Sequence, residues 1–130
     1  MAEPEGYTIS LNIEPDRDLK EELMTFFSKH NVKIGAVINA MGLLGKARIH
    51  VLGTNRFLNL AGPIELLNAS GVIRKENSGV RIDVNIIIGK GGKVYAGKLS
   101  SDCIATEPEG VTIFLLISAG QQLLDPKKLR

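Results

Sequence analysis

Hydrophobic and polar residues alternate in the first segment of the chain and then change to a helical period. In residues 7–13 the apolar side chains fall at every second position, which predicts a half-buried strand. Residues 14–31 follow with apolar side chains at the spacing of one helix face. These apolar positions are Leu19, Leu23, Phe26 and Phe27. Asp16 or Asp18 is suited to cap the start of this helix.

The rest of the chain has the pattern of strands separated by turn residues. The predicted strands cover residues 33–42, 46–53, 56–62, 63–75, 79–89, 93–105 and 110–119. The breaks between the first four are placed at Gly42, Gly45, residues 53–55 and the Gly62-Pro63 step. One strand, one helix and then many strands predict an α+β fold, with one main helix packed against a mostly antiparallel sheet. We expect a single domain over residues 7–119 and a short tail over residues 120–130.

One predicted strand contains a single carboxylate within an apolar run. In the sequence NLAGPIELLNASGVI, Ile64, Leu66 and Ala69 lie on one side of the alternation, and Glu65 interrupts it. A charge at this position is explained either by a solvent-exposed strand face or by a recognition surface. The pattern alone leaves both interpretations open.

Composition narrows the class of protein. A chain of 130 residues suits one domain, and 44% apolar with 23% charged residues is typical of a globular protein. The single cysteine, Cys103, has no partner for an internal disulfide, and two histidines are too few for a histidine-rich metal site. No apolar run is long enough to span a bilayer, and the first residues do not resemble a signal peptide. We therefore expect no membrane partner and a cytoplasmic location, or a nuclear one in a eukaryote.

Basic residues are concentrated in the middle of the chain. Residues 31–100 carry ten basic and three acidic side chains, whereas residues 1–30 carry three basic and seven acidic ones. A basic segment can bind phosphate backbones, but lysines on strand faces also keep a sheet soluble. The candidate nucleic-acid-binding residues are Lys46, Arg48, Arg74, Lys75, Lys90 and Lys93.

The strand RIDVNIII places polar side chains on one face. Arg81, Asp83 and Asn85 alternate with apolar residues, so the three polar side chains share a side of the strand. This spacing is typical of substrate or metal ligands, and equally of a solvated sheet face. Together with Lys98 these residues form a candidate pocket for a small molecule.

Motifs for phosphate-binding loops and nucleophilic catalysis are incomplete. The sequence GKGGK over residues 89–93 lies between two predicted strands, whereas a Walker A loop enters a helix. Residues 42–47, GLLGKA, lack the hydroxyl residue that such a loop needs. Neither His30 nor His50 is placed near Cys103 by the sequence. We predict no catalytic residues and no cofactor, and the patterns favour a protein that is not an enzyme.

Several segments together resemble the PPC domain, the domain conserved in plants and prokaryotes. The matching segments are INAMGLLGKARIHVL, GPIELLNASGVI and GKVYAGKL, in the order and spacing of that family. The preceding segment EPDRDLKEELMTFFSKHNVKIGAV is similar to the family's helix and second strand. The resemblance covers about residues 7–119. Members occur alone in bacteria and archaea, as predicted DNA-binding proteins, and follow AT-hook motifs in nuclear DNA-binding proteins of plants.

This resemblance implies an α+β fold and a homotrimer whose sheets form the subunit contacts. In the plant members, the stretch that corresponds to residues 62–67 is implicated in binding partner proteins. The candidate partner-binding residues are therefore Gly62, Pro63, Ile64, Glu65, Leu66 and Leu67. On this interpretation Glu65 is a recognition carboxylate on an exposed face.

The resemblance implies a metal site only for members that carry three histidines. Many prokaryotic members have His-x-His in the strand that corresponds to RIDVNIII, and a further histidine in Gly-Gly-His-Leu. Here the first pair corresponds to Asp83 and Asn85, or to Ile82 and Val84 in the alternative alignment. The third histidine is replaced by Lys98, which repels a cation. We therefore predict no metal site of the family type.

The preferred hypothesis is a non-enzymatic DNA-associated or regulatory protein that acts as a PPC-type homotrimer. The predicted partners are further copies of the chain, DNA and other proteins. One alternative is a small-molecule or metal-binding protein or enzyme with a pocket near Asp83 and Lys98. The other alternative is a trimeric protein-interaction module.

Overall fold

The computed structural model describes residues 7–118 and consists of seven strands and one helix within that range. The predicted tail over residues 120–130 lies outside the described residues. In chain order the elements are β1 (Tyr7–Ile13), α1 (Leu19–Lys29), β2 (Ile34–His50), β3 (Phe57–Glu76), β4 (Gly79–Lys90), β5 (Lys93–Leu99), β6 (Ile104–Ala105) and β7 (Val111–Ile117).

All strand pairs of the sheet are antiparallel, in the order β1-β7-β2-β3-β4-β5, with β6 paired to β2. The end of β2 also pairs with β5, through Ile49 with Leu99 and His50 with Lys98. Because β5 pairs with both β4 and β2, this half of the sheet closes on itself. The prediction of a mostly antiparallel sheet with one main helix is confirmed.

Helix α1 covers one face of the sheet. Its N-cap is Asp18, the second of the two predicted capping residues, whose side chain accepts a hydrogen bond from the Lys20 amide at 3.1 Å. Leu19, Leu23 and Phe27 are buried, as the helical period predicts. At 11 residues, α1 is short for a membrane span, and no helix within residues 7–118 is long and apolar enough to be one.

The sheet has an inner face that carries the core and an outer face without α1. Alternate residues of β4, Ile82, Val84 and Ile86, point inward and are at most 7% exposed. In β3, Ile64, Leu66 and Ala69 are also buried, which confirms the predicted alternation. The step from Leu66 to Ala69 spans three residues because a register shift between Leu66 and Asn68 inserts an extra residue into β3.

Two predicted strand breaks are wrong because the strands bend there and continue. β2 runs through Gly42 and Gly45, and β3 runs through the Gly62-Pro63 step. The two strands change register at this point, where Leu44 pairs with Ile64 and Lys46 with Ala61. A Cβ on Gly62 would lie 2.6 Å from the Leu44 carbonyl oxygen, so glycine allows the close approach of the two backbones. Here glycine marks a bulge between paired strands.

Candidate functional site

Four of the six candidate DNA-binding cations lie at one end of the closed half of the sheet. Lys46 pairs with Ala61 across β2 and β3, and the Lys90 ammonium donates a hydrogen bond to the Ala61 carbonyl. Lys93 is the register partner of Lys90 in the β4–β5 hairpin, and Arg48 lies two residues beyond Lys46 in β2. We call this set, Lys46, Arg48, Lys90 and Lys93, the basic end.

The cations of the basic end differ in their contacts. The Arg48 guanidinium lies 4.0 Å from the ring centroid of Phe57, a cation–π contact that fixes the arginine over the ring. Lys46 forms an ion pair with Asp102 at 3.8 Å, in which both side chains are about half exposed. Such an exposed pair contributes little to stability, so Lys46 can exchange Asp102 for another anion.

Arg74 and Lys75 lie apart from the basic end, towards the other end of β3. Arg74 pairs with Ile34 and Arg81 in the neighbouring strands. The Lys75 ammonium donates a hydrogen bond to the Asn31 side chain at 2.6 Å, next to the end of α1. The six predicted residues therefore form two separate groups within one chain.

The sequence interpretation did not select Arg56 or Phe57, which lie at the turn between β2 and β3. Arg56 is exposed, and its carbonyl accepts a hydrogen bond from the Val51 amide across the turn. Phe57 is 42% exposed and contacts both Arg48 and His50, with ring centroids 5.1 Å apart for the histidine. The sequence does contain a signal for these two residues, because an arginine followed by an aromatic residue comes directly after the predicted turn at residues 53–55.

A groove lies between β3 and the β4–β5 hairpin, with Glu65 in its lining. Its volume is about 420 Å³. The lining residues are Leu43, Pro63, Ile64, Glu65, Leu67, Lys90, Lys93, Val94 and the glycines at 89, 91 and 92. Among the described residues, no ion pair involves Glu65. This groove places an exposed carboxylate between apolar walls and two lysines.

The predicted partner segment, residues 62–67, contributes to the groove through alternate side chains. Ile64 and Leu66 point into the core, with 0% and 2% exposure. Pro63, Glu65 and Leu67 are exposed on the other side. The segment therefore offers these three side chains to a partner, while its buried residues hold the strand in place.

The candidate pocket residues Arg81, Asp83, Asn85 and Lys98 lie together on the outer face. The Asp83 carboxylate accepts a hydrogen bond from Lys98 at 2.7 Å and one from Arg81 at 3.0 Å. Asn85 is the register partner of Lys98. The two described cavities, of about 420 and 200 Å³, are lined by other residues. The interpretation of this cluster as a small-molecule pocket stays a prediction.

The Lys98 hydrogen bond, together with the charges of Lys98 and Arg81, lowers the pKa of Asp83 despite some opposing desolvation. A carboxylate whose pKa is lowered in the folded state stabilises the fold above its unfolded pKa. That contribution is lost as the pH falls from the ordinary aspartate range through the folded pKa. The Asp83 carboxylate therefore remains charged at neutral pH.

The two residue pairs of the alternative alignments lie on different faces of β4. Ile82 and Val84 lie in the core, whereas Asp83 and Asn85 share the outer face with Lys98. Which of the two pairs corresponds to the His-x-His of other members stays a prediction. Within residues 7–118 no group of three or more His, Cys, Asp or Glu side chains could hold a metal ion. The side chains present do not fit a metal site of the family type.

Cys103 is buried and unsuited to nucleophilic chemistry. It is 0% exposed, and its thiol lies 3.4 Å from the Arg48 carbonyl oxygen. Burial raises the pKa of this thiol, so the reactive thiolate is disfavoured. Cys103 therefore packs in the core.

The outer face of the sheet exposes large apolar side chains on its central strands. Leu116, Ala36 and Val72 are register partners in one row across β7, β2 and β3. The exposed apolar residues of this face are Ile38, Met41, Leu67, Val72, Ile87 and Leu116, each between 36% and 53% exposed. We call this set the apolar outer face. Exposed large apolar side chains on the central strands of a sheet are typical of an interaction surface.

Comparison with known families gives a match over most of the chain. The sequence model of the Plants and Prokaryotes Conserved (PCC) domain, the family written PPC above, matches residues 2–116. None of the curated protein sequences matches this chain.

Solved structures with the same fold come from bacteria and archaea. A metal-containing protein of Archaeoglobus fulgidus is 24% identical, with a TM-score of 0.75, and the match covers 92% of this chain and 87% of that one. A plant- and prokaryote-conserved protein of Pyrococcus horikoshii is 20% identical, with a TM-score of 0.72 and coverage of 90% and 82%. A protein of Bacteroides thetaiotaomicron, provisionally named a DNA-binding protein, is 20% identical, with a TM-score of 0.71 and coverage of 93% and 83%. At these identities the likeness establishes the fold.

Proposed function

The chain belongs to the Plants and Prokaryotes Conserved domain family, and from this membership and the basic end we propose that it is a DNA-binding protein. In this proposal it is a non-enzymatic regulatory protein that acts as a homotrimer. The provisional DNA-binding name of the Bacteroides structure supports the same role. The observation that carries the proposal is the placement of Lys46, Arg48, Lys90 and Lys93 on two hairpins that are linked by the Lys90–Ala61 hydrogen bond.

The basic end is suited to phosphate contacts rather than to reading bases. Its cations lie on two hairpins that meet at Ala61, and Lys46 and Lys90 both lie next to that residue. α1 packs on the inner face of the sheet and contributes none of these cations, so no recognition helix is part of the region. Contacts of this type give affinity that depends on salt and little on sequence.

The apolar outer face supports the homotrimer. Six large apolar side chains on the central strands remain exposed in one chain, although the opposite face is covered by α1. Burial of this face against two further copies would remove it from water, which is favourable. Trimer formation would also present three basic ends to one duplex, so weak phosphate contacts would reinforce one another.

Fluorescence anisotropy of a labelled random-sequence duplex tests the DNA proposal. We expect binding at low salt, with the logarithm of the affinity falling linearly with the logarithm of the salt concentration. We expect Lys90→Gln combined with Lys93→Gln to reduce this slope by about 0.9 for each phosphate contact that is lost. The matched control combines Lys20→Gln with Lys29→Gln on α1, which should leave the slope unchanged.

Two results would contradict the DNA proposal in different ways. Absence of binding at low salt would show that the protein does not contact DNA directly. Binding with an unchanged slope in the Lys90 and Lys93 variant would exclude the basic end as the contact surface, and Arg74 with Lys75 would be tested next.

The groove at Glu65 supports a second candidate function, the binding of a protein partner. Its apolar walls include Leu43, Leu67 and Val94, and Glu65 has no ion-pair partner among the described residues. An extended peptide with an apolar side chain next to a lysine or arginine would complement both features. The function would then be that of a trimeric interaction module.

Peptides selected from a random displayed library on the wild-type protein test this second function. We expect them to be apolar and basic and to bind Glu65→Gln about 10-fold more weakly, because a charge-assisted hydrogen bond is lost. Glu76→Gln, an exposed carboxylate at the other end of β3, is the matched control and should bind them unchanged. Equal binding to Glu65→Gln and to the wild type would exclude Glu65 as the recognition carboxylate.

A further inference from the structure

Three planar side chains contact one another beside the turn between β2 and β3. The Arg48 guanidinium lies 4.0 Å from the centroid of the Phe57 ring, and the His50 ring centroid lies 5.1 Å from it, with the two ring planes inclined at 34°. The His50 Nε2 donates a hydrogen bond to the Thr54 carbonyl at 2.5 Å, so the turn holds the imidazole in place. We call this set, Arg48, His50 and Phe57, the planar cluster.

The planar cluster lies outside the core and is open to solvent. The core at this point is filled by the register partners Ile49 and Leu58, so Phe57 projects from the other side of the two strands. Phe57 remains 42% exposed in spite of its contacts with Arg48 and His50. Core packing therefore does not explain an aromatic ring at this position.

The surroundings of the planar cluster are basic. From residue 46 to residue 64 the chain contains Lys46, Arg48 and Arg56 but no aspartate or glutamate. Among the described residues no ion pair involves Arg48 or Arg56, and Lys46 has only the exposed pair with Asp102 at 3.8 Å. A ligand that complements this region carries a negative charge next to a flat, stackable group.

A nucleotide with an unpaired base combines these two properties. Its base stacks on aromatic rings and on arginine guanidinium groups, and its phosphate binds cations. In a duplex the faces of the bases are stacked on one another, so a side-chain ring has no access to them. Asn59, the exposed register partner of Arg48, adds an amide donor and acceptor for the edge of a base.

We propose that the planar cluster is a stacking site for an unpaired base, so that the protein binds single-stranded nucleic acid more tightly than duplex. This inference rests on the proposed DNA-binding function, because the cations of the basic end hold the phosphates while Phe57 and Arg48 contact the base. Lys46 lies two residues before Arg48 on the same side of β2 and is the phosphate contact next to the stacked base. Single-stranded DNA and RNA share this chemistry.

Fluorescence anisotropy at one low salt concentration tests the preference for single strands, with labelled probes of about 20 nucleotides. The probes are oligothymidylate, oligouridylate, and the duplex of oligothymidylate with oligoadenylate. We expect the wild type to bind a single strand about 10-fold more tightly than the duplex. The tighter of the two single strands identifies DNA or RNA as the source of the unpaired base.

Phe57→Leu removes the ring and keeps an apolar side chain. We expect it to weaken binding of the single strand about 10-fold and to leave duplex binding unchanged. The salt dependence should also stay the same, because no phosphate contact is lost. Phe57→Tyr keeps the ring and is the matched control, which should retain the preference for the single strand.

Phe57→Trp reports contact with a base directly, because the chain contains no tryptophan. Stacking of a base quenches indole fluorescence, so the preferred single strand should quench this variant and the duplex should not. Met24→Trp is the control, since Met24 is 38% exposed on α1, which packs against the inner face of the sheet. Neither probe should quench it. This measurement does not depend on the folding of Phe57→Leu.

The outcomes separate the stacking site from the DNA proposal. Salt-dependent duplex binding without a preference for single strands, or without an effect of Phe57→Leu on single-strand binding, would overturn the stacking site and leave the DNA proposal intact. Equal quenching of Phe57→Trp and Met24→Trp would also overturn the stacking site. Absence of binding to all probes would overturn both proposals.

Discussion

Ile38→Asp is expected to convert the proposed homotrimer to a monomer. Ile38 belongs to the apolar outer face and is 48% exposed in one chain. If this face is buried between copies, the variant places an unpaired carboxylate in each contact, at a cost of about 3 kcal/mol per site. Sedimentation equilibrium at about 10 µM would then give a mass near the 14.1 kDa of one chain, whereas the wild type would give three times that mass.

Met24→Asp is the control for this experiment, since Met24 is 38% exposed on α1, which packs against the opposite face of the sheet. This variant should remain a trimer. Circular dichroism would establish that both variants are folded. A monomeric wild type, or a trimeric Ile38→Asp variant, would contradict the proposed contact. The DNA titration remains a separate test, because a monomer with a basic end can still bind a duplex weakly.

Periodicity predicted the local elements well, because burial in this sheet alternates along each strand between the bulges. The β4 residues Ile82, Val84 and Ile86 point inward, and α1 buries Leu19 and Phe27, as their spacing requires. The extents of β2 and β3 were not predictable from the glycines. A glycine at a bulge and a glycine in a turn have the same local signature, and only the neighbouring strand distinguishes them.

The sequence identified the charged residues of the site, but it did not predict which of them lie near one another in the fold. The sequence placed Lys46 and Lys75 in one basic segment, whereas the antiparallel pairing carries them towards opposite ends of β3. The pairing of Asp83 with Lys98 was predictable only as one of several options, since it depends on the register of β4 and β5. Closure of the sheet, which brings His50 beside Lys98, has no signal in the local pattern.

Gly71→Ala is expected to destabilise the fold by about 3 kcal/mol, near the upper end of the range for single substitutions. Gly71 lies between Val37 and Val84 in the middle of the sheet, with φ at +152°. A Cβ there would lie 2.1 Å from the Asp83 carbonyl oxygen and 2.7 Å from the Val84 Cα. Both contacts are backbone atoms of β4, so the two strands would have to separate.

Gly79→Ala measures the cost of placing an L-residue at a positive φ without the steric clash that is expected at Gly71. Gly79 has a similar φ of +147°, but a Cβ there would meet no atom within 4 Å. We expect it to cost only about 1 kcal/mol, the price of an unfavourable φ for an L-residue. Urea unfolding of both variants at equal protein concentration measures the difference. Equal losses would show that β4 yields to the added methyl group. A larger loss for Gly71→Ala would show that the backbone of β4 does not move aside for the added methyl group.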